Sequence, residues 1–304
     1  MKLGFVSAIL PDLSLEEVLK FASEEKFDCV ELMCWPVGKA ERKYAGVTHI
    51  NAIDFTHAQA DEVRGLLERY KVGISGLGFY PNILSMDSET SAHAIVHLKR
   101  VITTAEILKV NVVNTFIGAE PKLNQDENFA RFKKIWPDII KFAEDHDVRI
   151  GIENCPMLFS YDEWPSGKNM AYSPAVWRRM FETIPSSRFG LNLDPSHAIW
   201  LFIDYLQAVA DFKDKIFHVH AKDLKIDHAK LRQQGVLSLG WSTPKIPGYG
   251  DVNWNQFVSA LTEAGYHGPV CIEVEDAAFG KELEGRKEAL KIARNVLSPL
   301  IQGK

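Results

Sequence analysis

Eight times along the chain a short apolar run rich in β-branched residues gives way to a longer segment with helical periodicity. No other feature of the sequence constrains the fold as much. The strand-like runs are "KLGFVSAI", "DCVELMC", "VGISGLGF", "VNVVNTFI", "VRIGIEN", "RFGLNLD", "KIFHVHAKD" and "GPVCIEVED". Between them lie amphipathic stretches such as "SLEEVLKFASEE", where Ser14 and Glu17 have the spacing of a capping box, and "SPAVWRRMFETI", where Ser173 precedes Pro174 at the first helical position. Strands that alternate with helices pair in parallel through right-handed crossovers. Eight such units predict an α/β fold, a (β/α)8 TIM barrel, and no Pro/Gly/Ser-rich linker divides it, so residues 1–304 are read as one domain. A doubly wound open sheet would call for a Gly-rich phosphate loop after an early strand, and no G-x-G-x-x-G occurs. With 46% hydrophobic residues in 304, the chain has ample material for a large core.

Two connections at strand C-terminal ends are long: residues 155–174 after the fifth strand and 224–251 after the seventh. In a barrel both lie on the face that carries catalysis, and their content of Trp164, Trp241 and Tyr249 suits shaped lids. The net charge of −5 disfavours nucleic-acid or anionic-membrane partners, which attract basic surface. No apolar stretch approaches the ~20 residues of a membrane span. Cys29, Cys34, Cys155 and Cys271 form no C-x-x-C pair, and three lie in or at the ends of strand-like runs, the usage of buried, reduced thiols in a cytoplasmic protein. The start "MKLGFVSAIL" has a short apolar run but no A-x-A site and leads straight into a helix start, so it is read as a strand rather than a signal peptide.

Polar groups cluster where four consecutive strands end. The fifth ends in Glu153, the sixth in Asp194, the seventh in His220 and the eighth in Glu273. At a barrel mouth these side chains would converge, and three carboxylates so close repel one another unless a cation lies among them. Three oxygen donors and one imidazole suit an octahedral divalent ion, Mn²⁺, Mg²⁺ or Co²⁺, with Zn²⁺ also compatible. His218 faces the same side of its strand as His220 but deeper, and is read as a satisfied core histidine. His93 and His97, at i, i+4 spacing, are read as part of a solvated helix face.

With these residues in view, the sequence resembles the xylose-isomerase-like barrels of sugar isomerases, epimerases and related enzymes, within the AP endonuclease family 2 superfamily. The carrying residues are "IEN" at 152–154, "LDPSH" at 193–197, "HAKD" at 220–223 and "IEVED" at 272–276, and the likeness spans essentially the whole chain. The resemblance implies a metal, Mn²⁺ by preference, on Glu153, Asp194, His220 and Glu273. It also implies that Glu153 and Glu273 are the proton-transfer pair and that His197 contacts substrate. The superfamily also includes endonuclease IV, with its zinc cluster. That role would need further histidines on early loops and an Asp-x-His pair after the seventh strand, and "GWSTPKIPGYGD" has none. His49 is the early-loop histidine placed for a role; His57 reads as the approach to a helix.

The expected reaction is proton abstraction next to a carbonyl through a metal-bound enediolate. Reprotonation makes the enzyme a sugar isomerase or epimerase. Loss of a β-substituent would make it a lyase or dehydratase on a keto-sugar or 3-keto-glycoside. A non-catalytic sugar-binding barrel is the third reading. Candidate substrate contacts are His197, Glu31, Trp35, His49, Phe116, Lys222 and Trp241, for a small-molecule sugar or glycoside. Glu31 is set against the alternative of a salt bridge to a neighbouring loop, and Lys222 against a pairing with Asp223. Related barrels often pair, so a homo-oligomer is compatible.

Overall fold

The computed structural model describes residues 1–38, 45–163 and 167–302. Its strands are β1 (Lys2–Val6), β2 (Cys29–Met33), β3 (Gly73–Gly78), β4 (Val112–Thr115), β5 (Arg149–Glu153), β6 (Phe189–Leu193), β7 (Ile216–Ala221), β8 (Asp223–Ile226), β9 (Ser242–Lys245) and β10 (Pro269–Ile272). The helices are α1 (Leu15–Glu24), α2 (His57–Tyr70), α3 (Ser88–Leu108), α4 (Gln125–Asp145), α5 (Pro174–Thr183), α6 (Pro195–Trp200), α7 (Tyr205–Phe212), α8 (His228–Gln234), α9 (Trp254–Glu263) and α10 (Leu283–Ile301). Each of the eight strand-like runs supplies one barrel strand. They close in the order β1, β10, β7, β6, β5, β4, β3, β2, every pairing parallel. The chain therefore folds as a (β/α)8 barrel.

Local chemistry starts the helices where the sequence indicates. Ser14 and Glu17 form both halves of the capping box before α1. Ser173 stands at the N-cap of α5 without a capping hydrogen bond from its side chain, and Pro174 at the first position has no N–H to satisfy. The helices cover the barrel through a continuous apolar layer, in which Phe132, Trp136 and Phe189 stack with centroids 6.1–6.3 Å apart. All four cysteines are buried and free. Among the described residues no helix is long and apolar enough to cross a membrane.

Three details depart from the pattern read in the sequence. The long stretch after β7 is not a plain loop. It contains the antiparallel pair β8–β9 with α8 between them. Asp223 holds this excursion to the barrel by accepting from the backbone N–H groups of Leu224, Gly248 and Val252 and from Trp254 Nε1, at 2.9–3.0 Å. Second, "PSHAIW" forms a separate short helix, α6, before α7. Third, the His93/His97 pair divides. His93 is exposed, whereas His97 is buried, its Nε2 donating to the Cys34 carbonyl at 2.7 Å and its ring edge-on to Phe79. A helix lying on a barrel buries one stripe, and His97 falls inside that stripe. Trp164 lies outside the described residues.

Candidate functional site

The "IEN" and "LDPSH" segments are locked together first. β6 ends at Leu193, and at Asp194 the backbone leaves the sheet. The Asn154 amide takes over both hydrogen bonds, accepting from Asp194 N at 2.8 Å and donating to Asp194 O at 2.9 Å. Asp194 then caps α6, its Oδ1 accepting from Ser196 N at 2.8 Å, with Pro195 preset for the first helical position. That leaves Oδ2, which is fully buried and has no hydrogen-bond partner among the described residues.

Oδ2 belongs to a cluster. One donor atom each from Glu153, Asp194, His220 and Glu273 lie within 4.8 Å of one another. His220 Nδ1 stands 3.6 Å from Glu153 Oε1 and 3.8 Å from Glu273 Oε2, and it too is buried without a hydrogen-bond partner among the described residues. A buried oxygen and a buried nitrogen without hydrogen bonds, beside two more carboxylates, cost free energy as they stand. Three carboxylates and one imidazole at this spacing fit a divalent cation, which would satisfy all of them at once.

The Lys222 ammonium already offsets part of the negative charge. It is 2.7 Å from Glu273 Oε2, 3.2 Å from Glu275 Oε2 and 3.4 Å from Asp194 Oδ2. Lys222 and Asp223 therefore do not pair with each other. Burial pushes the Glu273 carboxyl up to about 7; Lys222 pulls against this, while Glu153 and Glu275 add to it. Burial also disfavours the charge on Glu153, but the positive His220 ring outweighs it and holds that carboxyl well below the usual range. The two glutamates are thus driven apart in proton affinity.

Above the cluster opens a cavity of about 370 Å³. Glu153, Lys222, Glu273 and Glu275 line its polar side, with Trp35, Tyr80, Phe116 and Met157 among its apolar walls. Of the residues singled out in the sequence, the fold brings together Glu153, Asp194, His220, Glu273, Lys222, Trp35 and Phe116. His197 joins them, its buried Nε2 3.4 Å from both Glu153 Oε1 and Asp194 Oδ2. Glu31 reaches the cluster from inside the barrel, paired with His220 rather than with a neighbouring loop. His49 and Trp241 are not brought to the cavity. His49 lines a separate hollow beside Pro11 and Val47, its Nε2 hydrogen-bonded to the Leu13 carbonyl. Trp241 stacks on Phe202 in the excursion and donates to Ser238 O. Both serve packing where they stand: the His49 ring bonds across to the connection before α1, and the Trp241 ring bonds within its own connection.

Tyr80, Cys155 and Glu275 also line the cavity and were not singled out. For two of them a signal existed. Cys155 and Glu275 each follow a proposed ligand by two residues, the spacing that keeps extended side chains on one side. Tyr80 carries no such mark.

Residues 19–296 match the family described as xylose isomerase-like TIM barrel. The inosose dehydratase of Geobacillus thermodenitrificans strain NG80-2 is 30% identical over 135 residues, which are 42% of this chain and 44% of that protein. Among solved structures, the IOLI protein with a bound zinc atom has a TM-score of 0.74 at 18% identity, covering 100% of this chain and 99% of the other. A D-tagatose 3-epimerase-like protein has a TM-score of 0.70 at 21% identity, again covering 100% and 99%. At such identities the structural likeness establishes the barrel, and the family match spans most of the sequence: the chain belongs to the xylose isomerase-like TIM barrel family.

Proposed function

We propose that this protein is a divalent-metal-dependent isomerase or epimerase of a small keto-sugar, working by proton abstraction next to a carbonyl. One observation carries the reading. Glu153 and Glu273 converge from β5 and the end of β10 on one donor set at the floor of the cavity. Two carboxylates that face one substrate space beside such a donor set are placed to act as base and acid.

Glu153, Asp194, His220 and Glu273 would hold the ion, Mn²⁺ by preference as the family resemblance implies, with Mg²⁺, Co²⁺ or Zn²⁺ compatible with the same three carboxylates and one imidazole. When bound, it supplies Lewis-acid stabilisation of charge developing on the carbonyl oxygen. One of the two glutamates, Glu153 or Glu273, takes the proton from the adjacent carbon. The other returns one, to the other face of that carbon for an epimer or to the neighbouring carbon for an aldose–ketose isomer. Lys222 and His197 stand beside the pair as contacts for substrate oxygens, and Trp35 and Phe116 wall the sugar against water. The epimerase-like and zinc-bound structural relatives support this reading.

A second reading, loss of a β-hydroxyl after the same proton abstraction, is favoured by the 30% identical segment shared with inosose dehydratase. Incubation of the metal-loaded protein in D₂O with ketoses, inososes and 3-keto-glycosides, followed by mass spectrometry, tests both. Deuterium uptake with the skeleton intact is the expected result. Expulsion of water or an aglycone identifies a lyase, and absence of exchange on every substrate overturns the mechanism.

A further inference from the structure

We infer that Glu31 is the positioning residue of the metal centre: it fixes the tautomer and orientation of His220, and Tyr80 and Gly78 hold Glu31 in place for that task. The inference rests on the reading of Glu153, Asp194, His220 and Glu273 as metal ligands.

Glu31 lies on β2 and is fully buried inside the barrel, where an unpaired carboxylate would be costly. Both of its oxygens are engaged. Oε2 is 2.7 Å from His220 Nε2, and Oε1 accepts from the Tyr80 hydroxyl at 2.5 Å. A ring nitrogen that faces a carboxylate at that distance carries the proton. With Nε2 keeping its proton, Nδ1 is the nitrogen that gives up its own when a metal binds, and Nδ1 is the atom 3.6 and 3.8 Å from the two glutamates of the cluster.

The surrounding polar groups agree with this assignment. Asn192 Nδ2 lies 3.0 Å from His220 Nε2, and two donors cannot bond to each other. The amide has another acceptor in Tyr80 Oη at 3.2 Å, while its oxygen takes the His218 Nδ1 proton at 3.0 Å. His218 Nε2 is bonded to Ser75 Oγ at 3.1 Å and stands 3.7 Å from Glu31 Oε2, a full ångström farther than His220 Nε2. Glu31, His218 and His220 are close enough together to suggest a second ion site, but the oxygens of Glu31 and the nitrogens of His218 already have partners.

Glycine at position 78 makes the arrangement possible. A Cβ there would meet Glu31 Oε1 at 2.6 Å and Met33 Cε at 2.2 Å. The Glu31 carboxylate occupies the space that a side chain on β3 would fill. A carboxylate that orients a metal-binding imidazole typically contributes about 10- to 100-fold to metal affinity.

The test compares wild type with Glu31→Gln, which preserves volume, in a chelator-competition titration with Zn²⁺. Thermal unfolding of both proteins without metal is followed alongside. ¹⁵N shifts of the His220 ring are recorded in the zinc-loaded wild type. The expected results are a loss of about 10- to 100-fold in Zn²⁺ affinity for Glu31→Gln with cooperative unfolding retained, and a wild-type His220 protonated on Nε2. Affinity within threefold of wild type, or a proton on Nδ1, overturns the inference. If Glu31→Gln does not fold, the wild-type tautomer decides alone. A wild type that binds no divalent ion overturns the ligand reading itself, and this inference with it.

Discussion

Replacing Glu273 by Gln should act in opposite directions on the stability of the metal-free protein and on its chemistry. In the folded chain the Glu273 carboxyl keeps its proton up to about pH 7, whereas its ordinary value is 4.5. Between those values the folded state binds more protons than the unfolded state, so stability falls as pH rises through the window and stays low above it. The gap corresponds to about 3 kcal/mol at pH 8. Gln is a neutral near-isostere and removes that penalty. Lys222 loses its 2.7 Å partner but keeps Glu275 at 3.2 Å and Asp194 at 3.4 Å, so it is not stranded. In EDTA, the variant should match wild type near pH 5 and exceed it at pH 8 by up to about 3 kcal/mol. That is roughly 5 °C in melting temperature for a chain of this size. With Mn²⁺ at 100 times its Kd, wild type gains about 2.7 kcal/mol. The variant should gain much less, and its turnover should fall by at least about 10³-fold, since it has lost one of the two proton carriers. Differential scanning calorimetry at the two pH values, with and without metal, reads the stability changes, and the deuterium-exchange assay reads turnover. A variant less stable than wild type by the same amount at pH 5 and pH 8 would refute the reasoning: Glu273 would then be an ordinary stabilising partner of Lys222.

Other perturbations test other parts of the structure. Gly78→Ala should destabilise the fold by about 1–3 kcal/mol through overpacking and weaken metal binding by displacing Glu31; normal urea unfolding together with normal affinity would count against the crowding. Asp223→Ala strips the acceptor from three backbone N–H groups and Trp254 Nε1, and should cost at least about 3 kcal/mol. Limited proteolysis should then cut faster within residues 227–250, and an unchanged digestion pattern would mean that other contacts hold the excursion. Ser14→Ala should cost about 1 kcal/mol in chemical denaturation, because it removes one side of the α1 capping box.

The eight strand–helix units, the capping box at Ser14 and the polar residues at the strand ends were legible because each is a local property. Periods of two and 3.6 residues, a cap three residues from its partner and a carboxylate at the edge of an apolar run are written within a few positions of one another. Ligand candidates on four consecutive units could be grouped because closure of a barrel places consecutive parallel strands side by side. The roles of Glu31, Tyr80 and His97 are set across much longer separations. Glu31 meets His220 from 189 positions away, across the barrel interior, and Tyr80 meets it from 140. Whether Glu31 binds a loop, a substrate or a histidine depends on the barrel's diameter and on the missing side chain at Gly78. His97 and Trp241 follow the same logic in reverse: a polar ring on a helix or loop looks available until packing supplies its partner. Sequence by itself therefore determined the barrel and the kinds of donor at its mouth. Tertiary structure alone decided which donors face one another and which atom of each is left free, because those depend on distances between strands that only closure of the sheet establishes.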